Sequence, residues 1–407
     1  MTPNLLTITG IGSVSPYGAL AGLIPQSTAE PEPEPVTAWP TAGLRRAFLV
    51  KPFRPASVVP GLKTRRLDRL SAWALVASSL ALQDAGIDLS QMDQNKMDQN
   101  KTDQNKNDQN KTDQNKVDRS RVAVVFGTGF GCAELTEAFY QSAAVNGWRG
   151  TDPSPFPEGL ANAPASHVAL WHGLRGPNIT LGSKGVAAES ALIQAASLLR
   201  RGQADLAIVL AGDTLTRAIY EWYEAAGLLS PACCNAEPLP GSPQEPGGSV
   251  LSGFIPSEGV VALVLEPAGR REARAYAHFN SGRWMTGGQP MESIRQMLGG
   301  AVPSLVICAG SGLPCANGST TALAREISGA DAAIVSPRTA PPQIVPPNAV
   351  AAGLPDTSAF LHLILALSSR PRGGQALLLG TSGSGTSGSG TSGDRGFAAL
   401  LLELPCP

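Results

Sequence analysis

The chain has 407 residues, 43% of them hydrophobic and 15% charged, with a formal net charge of −1. That length can bury a large core, and the charge balance excludes a basic nucleic-acid-binding face. No run of about 18 apolar residues is present, which excludes a membrane-spanning helix.

The first predicted strand is Leu5–Ile11. Gly10, Gly12 and Pro16 break its apolar stretch and no basic segment precedes it, so it reads as a strand rather than a signal peptide, with a cytoplasmic location by default. Ala29–Pro40 is a Pro/Glu tract of extended, exposed character. Leu67-Asp68-Arg69-Leu70 opens a helix that ends at Gln83-Asp84-Ala85-Gly86-Ile87. Asp93–Lys116 carries the pentad Xaa-Asp-Gln-Asn-Lys, in copies beginning at Met92, Met97, Thr102, Asn107 and Thr112. Lacking apolar residues, this repeat cannot bury a face, and as a projecting loop it is tolerated because closure entropy grows slowly with length.

Arg121–Phe126 is the next strand, running into Gly127-Xaa-Gly129-Xaa-Gly131. A dinucleotide-binding reading fails there, because the third glycine falls too early and no acidic residue closes a βαβ unit at the required distance. Asn178-Ile179-Thr180-Leu181 is a short β-prone run between the turns Gly176-Pro177 and Gly182-Ser183-Lys184-Gly185. From Val186 to Leu199 apolar residues recur at helical spacing. Strand, sharp turn and buried helix start is the geometry that exposes a nucleophile and aims backbone N–H groups at an oxyanion. The apex residue is Gly185, which has no side chain to attack with.

Strands follow at Ala207–Ala211, Val260–Glu266, Arg274–Asn280, Ser304–Cys308, Ala332–Val335, Gln375–Leu379 and Phe397–Leu404, with an apolar helix at Ser358–Leu367. Thr381–Gly393 repeats Thr-Ser-Gly-Ser-Gly, a flexible-linker composition. Strand–helix alternation that occurs twice predicts an α/β protein with two largely parallel sheets, the first closing with Val260–Glu266. The histidines His167, His172, His278 and His362 read as structural. Cys132, Cys233, Cys234, Cys308, Cys315 and Cys406 lack metal-ligand spacing, and in an intracellular chain they read as reduced packing residues, so no metal is expected.

Six segments in order resemble the β-ketoacyl synthases: Ile8–Gly18, Leu67–Ile87, Arg121–Gly131, Arg175–Leu199, Ala204–Gly212 and Gly253–Glu266. The likeness is good over Leu5–Glu266 and weaker to Leu404. It implies a five-layered αβαβα thiolase-like fold of two pseudo-repeated halves, 1–267 and 268–407 here, with inserted loops at 28–40 and 92–117 and a flexible repeat at 381–393. Counting back from Ala191-Leu192, the resemblance puts the family's nucleophilic cysteine at Gly185. It puts the two histidine loops at Ala309–Pro314, around Gly310, and near Asn348, neither with a histidine. Ser183, Lys184, Gly185, Phe130 and Cys315 would be what remains of the pocket, and Asn178, Ile179, Thr180 and Leu181 would pair across a dimer axis.

With the Cys-His-His set gone, the resemblance implies a non-condensing, cofactor-free subunit. Such a subunit would pair, as a chain-length factor, with an active ketosynthase and serve an acyl carrier protein in fatty-acid, polyketide or aryl-polyene synthesis. Two alternatives stand beside it. One is a ketosynthase or acyltransferase with an altered site, acting through Cys315 or a water held by Ser183 and Lys184. The other is a homodimeric scaffold that binds acyl carrier protein.

Overall fold

The computed structural model describes residues 5–37, 45–89, 117–183, 185–229, 254–286, 290–301, 303–309, 327, 333–335, 359–368, 374–382 and 396–405. The strands are β1 (Leu6–Ser15), β2 (Gly18–Ala21), β3 (Glu34–Pro35), β4 (Arg46–Ala47), β5 (Val122–Gly127), β6 (Asn178–Leu181) and β7 (Leu206–Asp213). They continue with β8 (Gly259–Pro267), β9 (Ala277–Thr286), β10 (Leu305–Ala309), β11 (Ala333–Val335), β12 (Gly374–Ser382) and β13 (Gly396–Leu404). The helices are α1 (Pro55–Val58), α2 (Arg69–Asp84), α3 (Ala133–Asn146), α4 (Ala163–Trp171), α5 (Ala187–Arg200), α6 (Arg217–Ala225), α7 (Pro290–Leu298) and α8 (Ala359–Ser368).

Each predicted strand is present, but their pairing corrects the expectation of two largely parallel sheets. The strands form one 11-stranded sheet, in the order β11-β10-β12-β13-β9-β1-β8-β7-β5-β6, with β2 attached to β1 as the eleventh. The halves join because β1 has two edges: it pairs with β8 along its length and with β9 through Leu6↔Phe279, Thr7↔His278 and Ile8↔Ala277. Pairing is parallel only at the flanks, between β5 and its neighbours and between β10 and its neighbours. The central pairs are antiparallel. A helical crossover favours a parallel neighbour. β12 instead pairs antiparallel with β13 at the far side of the Thr-Ser-Gly repeat, and Thr381 and Ser382 of that repeat belong to β12.

Helices sort the sheet into five layers. α2 and α4 cover one face of the first-half strands, burying Leu70, Trp73, Ala165 and Val168 against Val122, Phe126, Ile208 and Val264. α5 and α8 lie on the opposite face, where Leu192, Ala195, Phe360 and Ile364 share a core with residues of both halves. α7 covers the far face of the second half through Ile294 and Leu298. The order is therefore α2/α4, first-half strands, α5/α8, second-half strands, α7: a thiolase-like αβαβα arrangement.

Close packing explains several sequence choices. α2 is apolar around nearly its whole circumference, as a buried helix must be, and Asp68 caps it by accepting from Leu70 N at 2.8 Å. Gly10 and Gly12 of β1 face that helix, where an added Cβ would lie 2.6 Å from Ala85 Cβ and 2.9 Å from Leu80 Cβ. The Pro/Glu tract is exposed at Glu34 and Pro35, as expected, and it pairs there with Ala47 and Arg46. The Asp-Gln-Asn-Lys repeat lies outside the described residues.

Candidate active site: the turn before α5

Gly127, the last residue of β5, brings the sheet against the first turn of α5. A Cβ on Gly127 would lie 2.6 Å from the Ala187 carbonyl carbon, and closer still to its oxygen. Only glycine permits that approach. β6 is locked beside β5 by the register Val124↔Asn178 to Gly127↔Leu181, and Thr128 N donates to Leu181 O at 3.0 Å. The chain then turns through Gly182 and Ser183. Gly185 is buried with φ +83°, a left-handed backbone that glycine adopts without steric penalty. Val186 follows as the N-cap of α5, its N–H donating to Ser183 O at 3.2 Å. Strand, turn and helix start are thus assembled, with Gly185 at the entry to the helix.

A carboxylate that the sequence reading overlooked holds the glycine loop. Asp213, fully buried at the end of β7, accepts from Thr128 Oγ1 at 2.6 Å, Gly129 N at 3.0 Å and Phe130 N at 2.9 Å. Thr128 Oγ1 in turn accepts from Gly131 N at 2.8 Å. Phe130 leaves this loop toward α6, edge-on to Tyr223 at 6.2 Å, and packs in a side core with Ile219 and Tyr220. Ser183 is half-buried beside the turn. Asn178, Ile179, Thr180 and Leu181 occupy the end of the sheet, bonded on one side to β5, with Asn178 Nδ2 donating to Ala165 O at 3.2 Å. Lys184, Gly310, Cys315 and Asn348 lie outside the described residues, as do Cys233, Cys234 and Cys406.

The histidines have ordinary partners. His167 Nε2 donates to Glu158 Oε2 at 2.5 Å, and His278 Nδ1 meets Thr7 Oγ1 at 2.9 Å on the paired strands. His172 Nε2 meets Ser78 Oγ at 3.2 Å, and burial, with Arg119 nearby, pushes its pKa down to about 4. His362 is buried in α8. Burial beside Asp68 pushes the Cys132 thiol up to about 12, which leaves it protonated and inert. Two clefts of about 390 and 500 Å³ flank Arg69 and Glu134, and Gly185 lines neither. Among the described residues no group of three His, Cys, Asp or Glu could hold a metal, and no helix is long and apolar enough to cross a membrane.

The layers define the class of fold: a thiolase-like αβαβα arrangement. The likeness covers whole chains. A structure described as the ishigamide ketosynthase/chain length factor is similar with a TM-score of 0.67 and 21% identity over 98% of this chain and 99% of that one. A ketosynthase solved in complex with its type II acyl-carrier protein is similar with a TM-score of 0.65 and 16% identity, covering 99% of this chain and 100% of that one. Residues 105–270 match the family model for the β-ketoacyl synthase N-terminal domain. The chain is 26% identical over 290 residues to the 3-oxoacyl-[acyl-carrier-protein] synthase 2 of Vibrio cholerae, a match that takes in 68% of this chain and 62% of that protein. The chain thus spans about three-fifths of the length of that relative.

Proposed function

We propose that the chain is a non-condensing ketosynthase-like subunit, with its two halves at 1–267 and 268–407, that pairs with an active ketosynthase and acts with acyl carrier protein in fatty-acid or polyketide synthesis, in the manner of a chain-length factor. The observation that carries the proposal is Gly185: buried, at φ +83°, at the entry to α5 where a nucleophile would stand, and without a side-chain atom. Acyl transfer needs a nucleophile that forms and then releases a covalent bond, and glycine has none. The similar structures named for a ketosynthase/chain length factor and for a ketosynthase with acyl-carrier protein support the choice of partners. The end strand Asn178–Leu181 supports pairing, because an edge with one hydrogen-bonded neighbour is a template for a second subunit.

The test is co-expression with an active ketosynthase encoded nearby, scoring complex formation and product chain length. The reading expects a stable heterodimer whose product length differs from that of the synthase alone. A synthase that neither binds the chain nor changes its product overturns it.

A further inference from the structure

Basic residues crowd one segment of a chain that is balanced overall, with 31 Lys and Arg against 32 Asp and Glu. Between Arg45 and Arg69 stand Arg45, Arg46, Lys51, Arg54, Lys63, Arg65, Arg66 and Arg69, with Asp68 the one acid among them. Folding keeps that asymmetry. Asp68 is 1% exposed, and its oxygens accept from Leu70 N and Leu135 N. Arg45 is paired with Glu221 and Glu224, and Arg69 with Glu134 and Glu258. Lys51, Arg54, Lys63, Arg65 and Arg66 are all exposed, and among the described residues no acid pairs with any of them. Like charges on one face repel one another, and an acidic surface relieves that repulsion.

These cations gather at a cavity. The cleft of about 500 Å³ beside α2 and α3 is lined by Lys51, Phe53, Pro55, Thr64, Leu67 and Trp73. Arg54 lies between Phe53 and Pro55 in the chain, Lys63 precedes Thr64, and Arg65 and Arg66 join Thr64 to Leu67. Trp73 is 5% exposed, with the Arg69 guanidinium carbon 5.0 Å from its ring centroid. Of the carboxylates lining this cleft, Asp68 is buried and Glu134 is held by Arg69 at 3.2 Å. A cationic rim around an apolar interior complements an acidic surface that projects one apolar side chain. We propose that the non-condensing subunit itself receives an acyl carrier protein at this cleft. An acidic face of the carrier meets Lys51, Arg54, Lys63, Arg65 and Arg66, and an apolar side chain enters between Phe53 and Leu67. The proposal rests on the reading of carrier protein as a partner, and adds that the chain binds it without the condensing subunit.

The test measures binding of a purified acyl carrier protein to the full chain by surface plasmon resonance, at about 50 mM and about 500 mM NaCl. Arg65→Glu/Arg66→Glu should weaken binding roughly tenfold or more at the lower salt, and the loss should shrink at the higher, where screening shortens charge interactions. Arg175→Glu/Arg201→Glu makes the same change of charge at exposed positions that do not line the cleft, and should stay within about twofold of wild type. Phe53→Ser should weaken binding at both salts, because its contact is apolar. Equal losses in the two charge variants, no loss in either, or unchanged binding by Phe53→Ser overturn the inference, as does a wild-type chain that does not bind the carrier. Vesicles of phosphatidylglycerol and phosphatidylcholine are run in parallel. Binding to them without binding to the carrier assigns the face to a lipid surface and also overturns it. Pairing with an active ketosynthase is decided separately by co-expression, so the failure of one proposal leaves the other standing.

Discussion

Replacing Gly127 with alanine tests whether the close approach of β5 to α5 builds the site. The new Cβ would stand 2.6 Å from the Ala187 carbonyl carbon and 3.3 Å from Ala188 N, and these are backbone atoms that cannot rotate away. Carbon contacts settle at about 3.5–4.0 Å, so strand and helix must separate by roughly 1 Å. β5 is held by β6 on one side and β7 on the other, which leaves the displacement to fall on the N-terminus of α5. Overpacking of this kind costs about 1–3 kcal/mol, and contact with backbone places it near the upper end. Gly182→Ala is the control: it lies in the turn before α5, is exposed, and its Cβ would meet nothing within 4 Å. That change should lie within about 0.5 kcal/mol of neutral. Urea unfolding of both variants decides the matter through the midpoint at constant slope. Equal stabilities, or a larger loss in Gly182→Ala, would refute the packing argument.

Asp213→Ala removes the acceptor of three donors, the buried Thr128 Oγ1 and the partly buried Gly129 N and Phe130 N. It should cost about 3 kcal/mol or more by urea unfolding, and a loss below about 1 kcal/mol would contradict the assigned role. His172 titrates near 4 when folded and near 6.5 when unfolded, so between these values the unfolded chain binds more protons and stability falls as pH falls. From pH 7 to 5 that loss is about 2 kcal/mol; it should vanish in His172→Gln, and an unchanged acid limb there would count against it. Cys132, with its thiol near 12, should resist iodoacetamide in the native protein and react after unfolding, as peptide mapping would reveal.

Local chemistry made much of the fold readable. β-Branched runs such as Val122–Phe126 and Val260–Glu266 mark strands wherever they are buried. Turn residues from Gly182 to Gly185 placed the break before α5 at its observed position. Pairing was not readable, since Leu6–Ile8 meets Ala277–Phe279 from about 270 residues away and no local pattern encodes that contact. β2, Gly-Ala-Leu-Ala, has little strand propensity and forms because Ser15↔Gly18 folds it back on β1. Within the site, Gly185 stood out as an absence against the surrounding motif. Asp213 did not, because an acid at a strand end is ordinarily solvated. Its burial follows only from the layers stacked around it.

The most direct measurement is intact-mass analysis of the purified full chain after incubation with an acyl-loaded carrier protein. The protein should keep its unmodified mass at every time point while an active ketosynthase run in parallel gains one acyl group. A stoichiometric acyl adduct on any residue of this chain would contradict the account.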